Sequence, residues 1–353
     1  MAGELVGPAS GESFFDNARI VRWALTGSYV VGLGIVAAWV LRGRATERKY
    51  MLALLIFVLP FGIPFAVVSA RPDLLGAVAL IGLGVAMATS NGRRPALVAS
   101  ALFGTTIFAL AFVHEASAFE FGLGAILAIL VLGRELAPSI QRLCMALALV
   151  PGLLAAGAVA LFARKDVSDP LCADVPHRLI DNPAGAIASF QQLRDYLATG
   201  QRAQADYHDW VCGWYLGTYD YSVTDGMKEV LAIGAPGLLA SFALGVFGIA
   251  VSIGAVSFVS KVPFRDFLSE LRGQLLFPVF GLALMVPVFV TGFDWARWLM
   301  IIAFNIVVVY VLYIRGMQAL DEAPTSRDRR LFVLIVVAFA VIPLGVIPGG
   351  SIG

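Results

Sequence analysis

Three short stretches put ionisable side chains where an apolar chain leaves little room for them. Arg71, Pro72 and Asp73 form one. His114 and Glu115, with Glu120 close by, form the second. Phe293, Asp294, Trp295, Ala296, Arg297 and Trp298 form the third. A carboxylate or an imidazole in such a corner can act as general base toward a hydroxyl. An arginine can grip a phosphate in a two-pronged fork, with better geometry than lysine. Tryptophan beside these groups can stack on the C–H face of a sugar, or anchor a helix end at the lipid boundary. Each stretch also has a plainer explanation. Arg297 and Asp294 are spaced to pair across one helix turn. Arg71 and Asp73 can brace a turn, and His114 can be a satisfied helix-end imidazole. His114 and Glu115 are sequence neighbours, so on a helix they point about 100° apart and one of them faces any given site.

The chain that must position these residues is strongly apolar. Of 353 residues, 59% are hydrophobic and 14% charged, against about 25% charged in soluble domains. Mean hydropathy is +0.85. A soluble fold cannot hide that much apolar surface, so a soluble enzyme is excluded. The formal net charge of +1 argues against nucleic acid as a partner. The class expected is an all-α integral membrane protein in contact with membrane lipid. A bilayer core needs about 20 apolar residues per helix. Ten windows approach this: 23–41, 50–70, 74–89, 95–113, 119–133, 143–163, 230–260, 275–291, 299–314 and 331–347. About ten transmembrane helices are expected, in a membrane segment 1–163, a long loop 164–228 and a second membrane segment 229–353. The window 230–260 is long and holds Gly234, Pro236, Gly245, Gly248 and Gly254; it reads as a broken helix or a re-entrant pair, counted as one crossing.

Arginine and lysine divide unevenly between the connecting loops. Fifteen fall in the alternate set that begins with Arg42, Arg44, Arg48 and Lys49, and four in the opposite short loops and the N-terminal tail. The positive-inside bias puts the first set in the cytoplasm, so the long loop and both termini are expected outside an inner (cytoplasmic) membrane. Glu4, Glu12 and Asp16 interrupt any leader-like apolar run, which leaves open an upstream segment.

The long loop has its own character. It carries six basic and nine acidic residues, and five of the nine tyrosines. Asn182 and Pro183 form a helix start, Gly200 a stop, and Ile187, Phe190, Leu193 and Leu197 an apolar stripe between them; a helix lying on the membrane surface is expected. Cys172 and Cys212 are expected to pair as a disulfide on an oxidising side, the alternative being two free thiols. Zinc is disfavoured, because His177 and His208 show no ligand spacing with these cysteines. No metal site and no cofactor are therefore expected. On the other side, residues 261–274, with Phe264, Phe267, Leu268 and Leu271, read as a small amphipathic surface helix. Asn305 is the main polar residue within a span and reads as helix-packing glue. No Walker loop, dinucleotide fingerprint or nucleophile elbow is present.

Ten spans, one long external loop past mid-chain and small charged external turns resemble bacterial polysaccharide polymerases of the O-antigen and exopolysaccharide type. The pair His114-Glu115 and the turn from Asp294 to Trp298 are similar to turns in such proteins. The resemblance implies glycosyl transfer from a polyprenyl-pyrophosphate-linked glycan at the outer face. Arg71 and Arg297 would then neutralise the pyrophosphate, with Asp73 nearby. Glu115 or His114 would deprotonate the acceptor hydroxyl, and Asp294 would orient Arg297 or serve as the other base. Trp295 and Trp298 would line the floor, and Trp210 and Trp214 would hold the sugar chain. A divalent metal is compatible with this chemistry, but no residue spacing calls for one. Two other readings stand beside it: a transporter or flippase of a lipid-linked or small polar substrate, and a non-catalytic component of an envelope system with protein partners there.

Overall fold

A computed structural model describes residues 11–68, 71–90, 92–163, 166–181, 198–199 and 204–341. Most of them are helical, and the all-α membrane architecture expected from composition is the one adopted. Within the described residues, each of the ten windows overlaps helix. Among the described residues, six helices are long and apolar enough to cross a membrane: Asp16–Leu41, Glu47–Ala66, Arg93–Ala111, Pro138–Phe162, Val223–Ser260 and Trp295–Ile314. Asp73–Thr89, Ser117–Leu132 and Leu276–Thr291 are apolar but shorter. The last window begins in the helix Ser326–Val341, and its remaining residues lie outside those described. The chain divides into two compact units, 22–161 with 229–353 and 1–21 with 162–228. Both membrane segments therefore build one unit.

The centre of that larger unit is Trp295–Ile314, a helix buried on nearly every side. A helix apolar all round has no face for solvent, so it is enclosed by its neighbours. Phe304 on it meets Tyr29 and Phe61 at ring-centroid distances of 5.7 and 5.6 Å. The second span breaks after Leu59, where Pro60 has no N–H to donate. The carbonyls around the break are then claimed by the first helix: Tyr29 donates to Phe61 O at 2.5 Å and Thr26 to Ala66 O at 3.2 Å. This meets the demand that backbone groups in lipid be bonded internally. Arg93–Ala111 and Pro138–Phe162 approach so closely at Gly104 that a Cβ there would run into Leu147 O. Gly104 thus does for this pair what small residues do in membrane helix packing generally.

Val223–Ser260 is one helix kinked at Gly234 (φ 78°, ψ 159°), just before Pro236. That φ is open to glycine, and the proline cannot restore the lost hydrogen bond. The glycine-rich window is therefore a broken helix rather than a re-entrant pair. The surface helix expected over 261–274 is shorter, Phe264–Ser269, with Leu268 exposed and Phe267 turned into the protein. Phe267 and Leu271 are buried, with Phe267 edge-on to Tyr310 and Tyr313 at 5.4 and 5.7 Å.

The smaller unit is held by short-range devices. Cys172 and Cys212 form the expected disulfide. Strands Leu179–Asp181 and Gln204–Asp206 pair antiparallel, Leu179 opposite Asp206. The Asp220 carboxylate accepts from Val167 N at 2.9 Å and Ser168 N at 3.3 Å, and also bonds the Ser168 hydroxyl. These contacts hold its side chain below the usual carboxylate pKa, the Ser168 hydroxyl contributing most. The expected surface helix spanning Asn182 to Gly200 falls almost entirely outside the described residues.

Candidate functional site

The three charged stretches meet inside the larger unit. Asp73 opens the helix Asp73–Thr89, and Arg297 lies in the first turn of Trp295–Ile314. Arg297 Nη1 pairs with Asp73 Oδ2, and its Nε donates to Asp294 Oδ2 at 2.6 Å. Arg71 Nη1 stands 3.8 Å from the same Asp294 oxygen. Two arginines and two carboxylates thus form a chain that runs from the part-exposed Arg71 to the buried Asp73.

A second group joins at Asp73. The helix Arg93–Ala111 ends just before His114, and the chain re-enters the bundle through Ser117–Glu120. Phe121 presses on Gly76, so closely that a Cβ there would collide with its ring. Asn305 Nδ2, about midway along its helix, donates to Glu120 O at 2.5 Å. These contacts hold Glu120 within the bundle, with no exposed surface. Its Oε1 lies 3.9 Å from His114 Nε2, too far for a hydrogen bond. One ligand atom from each of Asp73, His114 and Glu120 lies within 4.8 Å of the others.

The buried atoms of this group are not satisfied. Among the described residues, both Glu120 oxygens, His114 Nε2 and Asp73 Oδ1 have no hydrogen-bond partner. Leaving one such group orphaned costs roughly 1–3 kcal/mol, so four together mark a place built for something other than stability. Burial pushes the His114 imidazole below its ordinary pKa, with the Asp73 carboxylate pulling it upward. Beside Asp73 lies a cavity of about 10 Å³ lined also by Tyr29, Phe65, Phe121 and Phe304, room for about one water. The set of two carboxylates and an imidazole can bind a proton or a cation. As it stands, the cavity has no room for a sugar or a pyrophosphate.

The remaining expected residues lie as follows. Glu115 is exposed, next to His114, where its charge acts on the imidazole from the rim. Trp295 is a packing residue: its indole donates to Phe289 O and Gly292 O at 3.0 and 3.1 Å. Trp298 is buried edge-on to Phe289 at 5.7 Å, beneath Gly292. Trp210 belongs to the smaller unit, 6.5 Å from Tyr207 between ring centroids, and the Trp214 side chain lies outside the described residues. Glu120 was passed over as a site residue because it stands among the apolar residues that begin a helix. Its distance of a few residues from His114, inside an apolar run, was the available signal. In the smaller unit His177, His208 and Asp209 also come together, each with one ligand atom within 4.8 Å of the others. The expectation of no metal-ligating spacing had looked for cysteine partners instead.

Over residues 1–340 the chain matches a family model described as "Uncharacterised membrane protein Rv1490". Two relatives are the Uncharacterized protein Rv1490 of Mycobacterium tuberculosis (strain ATCC 25618 / H37Rv) and the Uncharacterized protein Mb1527 of Mycobacterium bovis (strain ATCC BAA-935 / AF2122/97). Each is 36% identical over 346 residues, 98% of this chain and 80% of the relative. No solved structure matches. The family matched is described as a membrane family, and that description lends no support to the polysaccharide-polymerase resemblance. The resemblance to those enzymes therefore rests on architecture and two short motifs alone.

Proposed function

The chain belongs to the Rv1490 family of membrane proteins, and on that footing we propose that it is a proton-coupled membrane carrier for a small polar substrate. The observation that carries this reading is the Glu120 carboxyl, fully enclosed and, among the described residues, without a hydrogen-bond partner, 3.9 Å from an equally unpartnered His114 nitrogen. An ionisable side chain inside a membrane bundle is costly and commonly marks an ion or proton path. The coupling follows from the neighbours. With its proton, Glu120 is neutral and tolerates its dry surroundings. Without it, the new carboxylate needs a cation, and Arg297 stands beyond Asp73, which holds it. Competition between Glu120 and Asp73 for Arg297 would pull on three helices, and that is a two-state element of the kind coupling requires.

We place the protein in the cytoplasmic membrane with the long loop and the cluster toward the outside. The lysine and arginine bias supports this orientation, and the Cys172–Cys212 disulfide agrees with it.

Glycosyl transfer from a polyprenyl-pyrophosphate-linked glycan is the competing reading. Its support is the meeting of the charged turns at one part-exposed rim, with Arg71 and Asp294 nearest solvent. Against it, Arg297 is already paired with two carboxylates and is not free to receive a pyrophosphate.

Infrared titration of the purified protein tests the proposal. The carbonyl band of a protonated carboxylic acid should disappear as pH rises and be missing from Glu120→Gln. A titration identical in wild type and Glu120→Gln would refute the carrier mechanism. Accumulation of lipid-linked glycan in cells that carry Glu115→Gln would favour the transferase instead.

A further inference from the structure

We propose that His177, His208 and Asp209 form a divalent transition-metal site, with Zn2+ the best-matched ion, in the smaller unit and independent of the buried cluster. The strand register builds it. Leu179 stands opposite Asp206 in an antiparallel pair, and the same register continued outward by two residues sets position 177 against position 208. The two imidazoles are in fact stacked, ring centroids 4.0 Å apart and planes 23° apart.

Carboxylates orient both rings. His177 Nδ1 donates to Asp206 Oδ2 at 2.9 Å, which fixes the proton on Nδ1 and leaves the Nε2 lone pair for a metal. This is the carboxylate–histidine arrangement that supports metal-bound imidazoles generally. Asp206 is itself held, since its other oxygen accepts from His208 N at 2.9 Å and Arg178 N at 3.3 Å. The Asp209 carboxylate lies at the edge of the second ring, 3.2 Å from His208 Nδ1. Ligand atoms of His177, His208 and Asp209 fall within 4.8 Å of one another, so a closing movement of about an ångström brings them to tetrahedral zinc distances. The Cys172–Cys212 bond closes the chain on both sides of the pair.

Two nitrogens and one carboxylate suit zinc and its neighbours rather than Mg2+ or Ca2+, which prefer all-oxygen sets. A fourth position is open to water, because His177 and Asp209 are largely exposed. Asp206 is a positioning residue in this scheme, not a ligand.

The test uses the full-length protein without an affinity tag, stripped with chelator and titrated with Zn2+ by calorimetry. One equivalent should bind, with little competition from excess Mg2+. His177→Asn with His208→Asn should abolish that binding while the disulfide stays formed. Asp206→Asn should weaken it by about 10- to 100-fold. Glu120→Gln should leave it unchanged, which separates this site from the Asp73, His114 and Glu120 group. Absence of saturable binding, or binding that survives the double histidine variant, would overturn the proposal.

Discussion

Two ionic clusters in the helix bundle each set arginine against aspartate and differ in how completely they are satisfied. One centres on Asp328. Its Oδ2 accepts from Arg48 Nη2 at 2.9 Å and Thr325 N at 3.1 Å, and its Oδ1 from Lys261 at 2.9 Å. Arg48 also donates from Nε to Glu322 O and from Nη1 to Val259 O, and Lys49 bridges Arg44 O and Asp321. The other cluster holds Arg297 between two carboxylates but leaves Glu120, His114 Nε2 and Asp73 Oδ1 without partners. Complete satisfaction is the mark of a staple between chain segments far apart in sequence. Incomplete satisfaction at full burial is retained only where another demand outweighs stability.

The comparison breaks most visibly at Arg297. Arg297→Met leaves Asp73 buried without its cation, and a loss of roughly 3–5 kcal/mol is expected. Thermal unfolding in detergent measures it, and Asp73→Asn added to Arg297→Met should recover part of the loss. Asp328→Ala comes next. It strands Arg48, and about 3 kcal/mol is expected, the low end of the range because Lys261 reaches solvent. Thr46→Ala should cost about 1 kcal/mol, since Thr46 caps its helix at Lys49 N and also bonds Leu320 O at 2.5 Å. The smallest effect on stability is predicted for Glu120→Gln: a melting temperature equal to or above that of the wild type, with loss of function. A large destabilisation there would reveal a hidden partner and erase the contrast between the clusters.

Acid sharpens the same contrast. Lys261 beside Asp328, with Thr325 N–H and Arg48, holds its carboxyl well below the usual carboxylate range. A depressed carboxylate lends stability that is complete above its unfolded pKa of about 3.9 and is lost as pH falls below that value. Unfolding followed from pH 6 downward should therefore show an acid-labile increment in the wild type that is missing from Asp328→Asn.

The helices were legible because an apolar run needs no partner to declare itself. The charged turns were legible for the converse reason: 14% charged residues in such a chain stand out wherever they fall. The disulfide followed from two cysteines in one loop. Glu120 was visible beside His114 but carried no sign of its role, because its depth depends on where Phe121 and Asn305 seat the turn. The tryptophans of the third turn were legible as aromatic, but whether they face a ligand or protein was decided by Phe289 and Gly292. His177 and His208 were each visible, yet their pairing required the register of two three-residue strands.

Composition and periodicity alone determined that this chain is a helical membrane protein with its charges pressed into a few corners, because transfer of apolar surface out of water depends on what the residues are. Which charges meet depends on where helices distant in sequence come to rest. Arg297 reaches Asp73 across 224 positions, and Glu120 faces His114 only because its turn folds back into the bundle. Electrostatic partnership falls off within a few ångströms, and only the tertiary structure sets distances on that scale.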